Sequence, residues 1–432
     1  MHETSSISRS MSSVATEPRP GAVYWTAYSP PEGDIEPLDP LAFDMFAERL
    51  GNELLPGLTT RTQRGRYFGM VCAGLLITEK RARQRGALDV VRQRRQAFLP
   101  FERGWALAVT LGRYGQLKQP GPAGNLRLKH EYREFRGVNR VLAHYRSTQG
   151  RPRLRPSDYR FLAAQESQGG LGAYLVALAY GGFVDAATMT LRESGRGLAN
   201  AFLKDAGSRA SWLVDGRLHQ RGNLMRVGLE LDLARLSTDE AALLVDGLFS
   251  DHRPLAETYR RLALALTSGA DARTALTSAA KRNGDYLERA AQYALDFDLF
   301  RRAALTLFAR LGQKLVVKTG AAQLRELGTE VVEAASSLRA FAKPVAHASS
   351  PRGLEDVAPF AHSLADARST ALTVSRLLAW HARFRNPWIV ETDDRRYELR
   401  RHGSFDEPEP RFHGFTVGSL LSLNDDLRAA AG

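Results

Sequence analysis

From Pro40 onward the apolar residues recur every three or four positions, and that spacing restricts most of the chain to helices. Leu41, Phe43, Met45, Phe46, Leu50 and Leu54 line one side of a first helix, which Pro56-Gly57 stops. Thr59 or Thr60 can cap a second, about 61–78, that turns Tyr67, Phe68, Val71, Leu75 and Leu76 inward. A third, about 79–98, wraps Lys80, Arg81, Arg83, Arg85, Arg92, Arg94 and Arg95 around Leu88, Val90 and Val91. FERGWALAVTL and EYREFRGVNRVLAHYR supply two more across the Pro/Gly loop 119–124. At 432 residues the chain has room for two to three domains with a sizeable core.

Charge along this helical chain is placed rather than spread. Residues 61–160 hold 23 Lys and Arg against six Asp and Glu, a net of +17, whereas the whole chain carries +13. A basic face of this density attracts polyanions and gives salt-sensitive, sequence-independent affinity. The candidate nucleic-acid contacts are Arg61, Arg64, Arg66, Arg81, Arg85, Arg92, Arg94 and Arg95, with Arg151, Arg153 and Arg155 further on. Arg81, Arg85, Arg92 and Arg95 are close enough in phase to line one side of a helix. The competing account is a solvated face, or arginines paired with acids from elsewhere in the chain. Of the 60 basic residues 52 are Arg, a ratio that GC-rich coding produces unaided, so the clustering carries the argument and the total does not.

Composition closes several other routes. The one cysteine, Cys72, excludes a disulfide framework and a Cys-based zinc site, and predicts a reducing, cytoplasmic setting. The first 21 residues lack the apolar core of a secretory signal, and the uncharged stretch 169–184 is too short and glycine-rich to span a bilayer. GxxxxGK[ST], GxGxxG and GxSxG are absent, and His347, His362, His402 and His413 show no ligand spacing, so neither cofactor nor metal is expected. Glu391, Asp393, Asp394 and Glu398 alternate along a hairpin, but Arg395 and Arg396 turn that cluster into ion pairs. Edge charges of this kind deter sheet-to-sheet association.

Five segments follow along the chain. Residues 1–38 form a Ser, Pro and Gly-rich arm, extended or disordered, tethered by Tyr24, Trp25 and Tyr28. Residues 39–150 are the basic helical domain and 151–210 a small mixed module. Residues 211–385 are a helical array, opened by the capping box Ser237-Thr-Asp-Glu240, with helices near 254–268, 271–281, 284–312, 320–341 and 354–382. Residues 386–432 give a hairpin and a last helix, 417–430.

Within the mixed module the order is helix, break at Gly169-Gly170, helix, strand GFVD, strand TMTL, helix SGRGLANAFLK. This stretch resembles the wing and following helix of winged helix-turn-helix domains. Such domains read the major groove with polar side chains on the second helix of the pair. Here that helix is LGAYLVALAY, which carries no Lys, Arg, Asn or Gln, so its expected use is packing. Arg151, Arg153, Arg155 and Arg160 flank the module as candidate phosphate contacts. The expected fold class is mainly α: a helical multi-domain protein with a winged-helix-like module and a small C-terminal β-hairpin.

Two further resemblances bear on function. Arg376-Leu-Leu-Ala-Trp-His381 resembles the signature of the HEPN ribonucleases, and implies metal-independent RNA cleavage by Arg376 and His381. Leu377 departs from that family's polar residue after the Arg, and a histidine ending a helix also suits the helix dipole. Residues 49–68, RLGNELLPGLTTRTQRGRYF, resemble the opening of an uncharacterised bacterial protein family encoded in defence loci beside nucleases or helicases. That resemblance, extended by FERGWALA and the wing-like element, implies a non-catalytic nucleic-acid-associated subunit of a multi-protein anti-phage system. It brings no catalytic residues, and Arg192-Glu-Ser-Gly195 replaces the family's Thr-containing turn. A structural scaffold whose basic patch meets an acidic protein is the third reading.

Overall fold

The computed structural model describes residues 39–84, 91–114, 137–147, 169–204, 206–211, 221–233, 236–250, 271–280, 286–318, 321–383, 387–400, 405–408 and 412–431, with positions 162, 165, 213 and 262. They are mainly helical, with two small antiparallel sheets. The helices of the first half are α1 (Phe43–Leu54), α2 (Gly65–Gln84), α3 (Val91–Tyr114), α4 (Val138–Ser147), α5 (Gly170–Tyr180), α6 (Glu193–Leu203), α7 (Arg221–Glu230) and α8 (Thr238–Phe249). Strands β1 (Val184–Asp185) and β2 (Thr190–Leu191) form a hairpin between α5 and α6. The second half contains α9 (Ala272–Ala279), α10 (Tyr286–Lys318), α11 (Thr329–His347), α12 (Val357–Ala365), α13 (Thr370–His381) and α14 (Val417–Ala431). Its sheet has the order β3-β5-β4, from β3 (Ala322–Gln323), β4 (Ile389–Glu391) and β5 (Arg396–Leu399).

The two ends of the chain cross over. Phe43 of α1 meets Phe297 and Phe300 of α10 edge-on and stacks on Trp380 of α13. The Trp380 indole N–H donates to the Leu41 carbonyl at 3.0 Å. Helix α1 therefore packs in the second half. Helix α14 packs back on the first: the Gly65 amide donates to Asp426 at 2.9 Å, and the Thr238 hydroxyl to the Ala430 carbonyl at 3.0 Å. Chain order alone does not carry this exchange.

Small residues set the tightest helix contact. Ala108 and Gly112, four positions apart on α3, let α7 approach, while Gly104 one turn earlier admits the Leu213 backbone. A Cβ added at Gly228 would lie 1.8 Å from the Ala108 carbonyl oxygen. Helix α3 also runs through Pro100, so the basic run 91–98 and FERGWALAVTL are one helix and not two. Proline removes only the bond to the Gln96 carbonyl, while Phe98, Phe101, Trp105 and Leu111 bury on either side of it. The helix anticipated over 354–382 is instead two, because the Ser369 hydroxyl accepts the Leu372 amide at 3.2 Å and starts α13 afresh.

The order α5, β1, β2, α6 matches the mixed module, and the helix expected before it falls mostly outside the described residues. The same holds for the arm 1–38 and most of 254–268. No helix among the described residues is long and apolar enough to cross a membrane.

Two glycine substitutions test this packing in opposite directions. Gly228→Ala must push α7 off α3 and should lower the urea midpoint by the equivalent of about 1–3 kcal/mol. Gly197→Ala on α6 meets only Leu243, at an ordinary 3.8 Å, and should raise stability by roughly 0.5–1 kcal/mol.

Candidate nucleic-acid interface

Folding divides the basic segment into an interior and an exterior set. Arg66 is 1% exposed and pairs with Glu240 at 2.9 Å, while its second amino group donates to the Glu230 carbonyl at 2.8 Å. Arg64 is buried against Asp426 at 3.1 Å, and Arg113 grips Asp232 with two donors. Arg103 donates to Gln165 at 2.7 Å. Glu240, Asp232 and Asp426 all come from outside the basic window, so long-range pairing neutralises part of its charge. Arg64 and Arg66 are thereby corrected: both are buried and engaged in ion pairs rather than presented on the exterior, and freeing Arg66 would leave the buried Glu240 carboxylate without its partner. Arg61 is half-buried in the loop before α2.

The exterior set gathers where α2 ends and α3 begins. Lys80 is exposed on α2. Arg92, exposed, and Arg95, half-buried, stand one turn apart on α3, and neither has a carboxylate partner among the described residues. The Arg95 Nε is shut away from solvent with no acceptor. Arg94, between them, donates to the Thr188 carbonyl at 3.0 Å. That carbonyl belongs to the turn of the β1–β2 hairpin, so the basic end of α3 and the hairpin lie side by side.

The Asp185 carboxylate shapes this turn by accepting the Thr188 amide and hydroxyl, each at 2.9 Å. Those bonds hold its carboxyl below the usual carboxylate range. Arg192 lies 3.8 Å from Asp185, and Arg196 on α6 pairs with Glu79 at 2.9 Å. Charge along the sequence does not single out Arg192 or Arg196 as contacts, because they fall in a segment of ordinary charge. The Arg81 side chain and Arg85, Arg151, Arg153 and Arg155 lie outside the described residues.

Helix α5 turns most of its side chains into the core. Tyr174 stacks on Tyr67 with ring centroids 4.9 Å apart, and its hydroxyl accepts the Arg64 amide at 3.0 Å. The buried Glu102 carboxylate accepts the Gly170 amide at the first turn, where negative charge suits the helix dipole.

Comparison with protein-family models, with curated proteins and with solved structures finds no match for this chain. The functional reading therefore stands on its residues.

The ribonuclease constellation is not assembled. His381 is 2% exposed and both ring nitrogens are engaged by backbone. Nε2 accepts the Trp388 amide at 2.7 Å, which leaves Nδ1 to carry the proton and donate to the Pro40 carbonyl at 2.7 Å. Phe308 closes one side, ring centroids 4.7 Å apart. Arg376 is half-buried one and a half turns away on another side of α13. A histidine committed to two backbone partners has no free nitrogen to exchange a proton with RNA. His381 instead fastens α13 to the start of α1 and to β4.

The acidic hairpin is likewise internally matched, with Arg400 3.0 Å from Glu398, Arg396 3.9 Å from Asp394, and Glu391 accepting from the Ser375 hydroxyl. Among the described residues no three His, Cys, Asp or Glu could hold a metal ion. Cys72 is buried, and burial pushes its thiol far up.

His381 gives this half of the protein a pH dependence. Burial holds its imidazole below the ordinary histidine range, and burial together with Arg301 does the same for His413. The unfolded chain takes up these protons near pH 6.5 and the folded chain only at lower pH. Stability is therefore complete above about pH 6.5 and falls as the pH drops below it. His381→Ala leaves two backbone groups and a cavity behind. It should cost about 2–4 kcal/mol at pH 8, with a shallower fall in the urea midpoint between pH 7 and 5 than in the parent.

Proposed function

We propose that this chain is a non-catalytic, nucleic-acid-associated subunit of a bacterial multi-protein assembly, holding the phosphate backbone on the face shared by α3 and the β1–β2 hairpin. The observation that carries the reading is the contrast between arginines. Arg64, Arg66 and Arg113 are matched to carboxylates, while Arg92 and Arg95 are left unmatched beside an arginine anchored to the hairpin turn. Guanidinium groups without acids of their own are suited to forked contacts with phosphate oxygens. In this reading Lys80, Arg92 and Arg95 contact the backbone and Arg94 fixes the spacing between helix and hairpin.

Base reading is not part of it, since α5 offers no Lys, Arg, Asn or Gln for base edges. Affinity is accordingly sequence-independent and steep in salt. A cytoplasmic setting, the anti-phage context that residues 49–68 suggest, and partner subunits against the second-half helices belong to the same proposal.

The test is fluorescence anisotropy against duplex DNA, single-stranded DNA and RNA over a salt series. On duplex DNA the slope of log K against log salt shrinks by about 0.9 for each phosphate that is no longer neutralised. Arg92→Gln/Arg95→Gln should therefore flatten it by nearly two while Arg64 and Arg66 stay in place. Absence of binding at low salt, or a double variant with the parent's affinity and slope, overturns the reading.

A further inference from the structure

Buried and half-buried arginines recur through this protein with carboxylate partners, as Arg209 with Glu230 and Arg302 with Asp298 illustrate beyond those already described. Arg339 on α11 and Arg376 on α13 depart from that pattern. Arg339 donates from Nη1 to the Thr373 hydroxyl at 3.1 Å, a neutral acceptor. That hydroxyl spends its own proton on the Ser369 carbonyl at 2.9 Å, which fixes its oxygen as an acceptor for Arg339. Arg376 stands one turn after Thr373, where side chains on a helix are neighbours, about 5–6 Å apart at Cβ. Its Nη1 is shut off from solvent and has no acceptor.

No carboxylate pairs with either arginine among the described residues. The acid that does reach α13, Glu391, is engaged by Ser375. Lys343, exposed and one turn beyond Arg339, stands on the same side of α11. Arg339 thus meets α13 at a neutral hydroxyl, with Arg376 one turn further on α13 and Lys343 one turn further on α11.

Arg376 as a whole is half-buried, but a guanidinium nitrogen shut off from solvent without an acceptor is an unfavourable arrangement, so this nitrogen calls for one. Guanidinium groups meet oxyanions with two parallel bonds, and two of them on packed helices suit a doubly charged anion better than a single carboxylate. The geometry points to an anion seat at the α11–α13 seam that takes a phosphate group. Arg376 supplies the donors, Arg339 is held in position by Thr373, and Lys343 adds charge at the rim. The seat lies on other helices than the α3 face and rests on different residues, so either can fail without the other. Its phosphate could be a small phosphate ester or a phosphate of a nucleic acid.

Titration of the full chain with inorganic phosphate, at ionic strength matched with chloride, reads the seat by calorimetry. Saturable binding is expected, weakened roughly tenfold or more in Arg376→Gln through removal of a charge-assisted bond. Arg376→Lys, which keeps the charge and loses the fork, should fall between. Thr373→Val, which frees Arg339, and Lys343→Gln at the exposed rim should each weaken binding in a folded protein. These two carry the test should Arg376→Gln unfold. No saturable binding to the parent protein, or unchanged affinity in all the variants, overturns the proposal and leaves Nη1 to an ordered water. Competition with a short duplex in the Arg92→Gln/Arg95→Gln background assigns the source. Displacement of phosphate supports a nucleic-acid phosphate in the seat, and persistence of phosphate supports a small ester.

Discussion

The buried pair of Arg66 and Glu240 is the contact on which the first half of the molecule is built. Removing two charges from water is unfavourable unless the geometry is good and the remaining donors and acceptors are satisfied. Here Glu240 also accepts the Ser237 amide at 3.1 Å and its hydroxyl at 2.9 Å, while the Ser237 hydroxyl in turn accepts the Glu240 amide. Arg66 reaches the last residue of α7 through the Glu230 carbonyl and lies over the Phe202 ring of α6 at 4.9 Å. One ion pair therefore joins α2, α6, α7 and α8. Gly69 makes room for it, since a Cβ there would fall 2.6 Å from the carboxylate. Such a pair fixes direction more than it adds stability, and the direction of α2 decides where its basic end meets α3 and the hairpin.

Folding thereby sorts one kind of side chain into two uses. Arg64, Arg66 and Arg113 find carboxylates and become fasteners, whereas Arg92 and Arg95 at the start of α3 find none among the described residues. The separation follows from where the acids lie in three dimensions, which a count of charge along the chain does not contain. Glu240 is 174 residues from Arg66, and Asp426 is 361 from the Gly65 amide it accepts. Window charge thus overstates the surface charge, because part of it is paired inside the fold.

What is legible in the sequence is local. The capping box at Ser237 depends on residues three apart and forms as its spacing predicts. The two short strands and the helix after them follow from β-branched and glycine residues in sequence order, and the mainly helical class from apolar spacing. What is not legible is set at a distance or by competition between near-equal signals. The run 79–98 and FERGWALAVTL read as separate helices, yet the core on both sides of Pro100 outweighs the lost hydrogen bond and the crowding that proline brings. The Arg-to-His spacing in α13 is local, but the state of His381 is decided by Pro40, 341 residues earlier. Strand β3 escapes sequence reasoning because two residues have no period, and its pairing with β5 spans more than 70 positions.

The crossing of the chain ends explains how such distant contacts are sustained. Residues 405–408 and 412–416 lie against α10: Gln313 donates to the Phe405 carbonyl at 2.7 Å, Arg310 meets Glu407 at 3.0 Å, and the His413 amide donates to Asp298 at 3.1 Å. The Thr416 hydroxyl then bonds the Gly51 carbonyl of α1 at 2.6 Å before α14 turns back to the first half. Closing a loop costs only about 0.6 kcal/mol more for each doubling of its length. Burying one aromatic side chain gains about 1.5–3 kcal/mol. Closing a path of about 340 residues costs roughly 5 kcal/mol by the same loop-length relation. Several such side chains together, Phe43 with Phe297, Phe300, Phe360 and Trp380, therefore offset the long return path. Each half completes its core with a helix from the opposite end of the chain, so the two should lose their structure together.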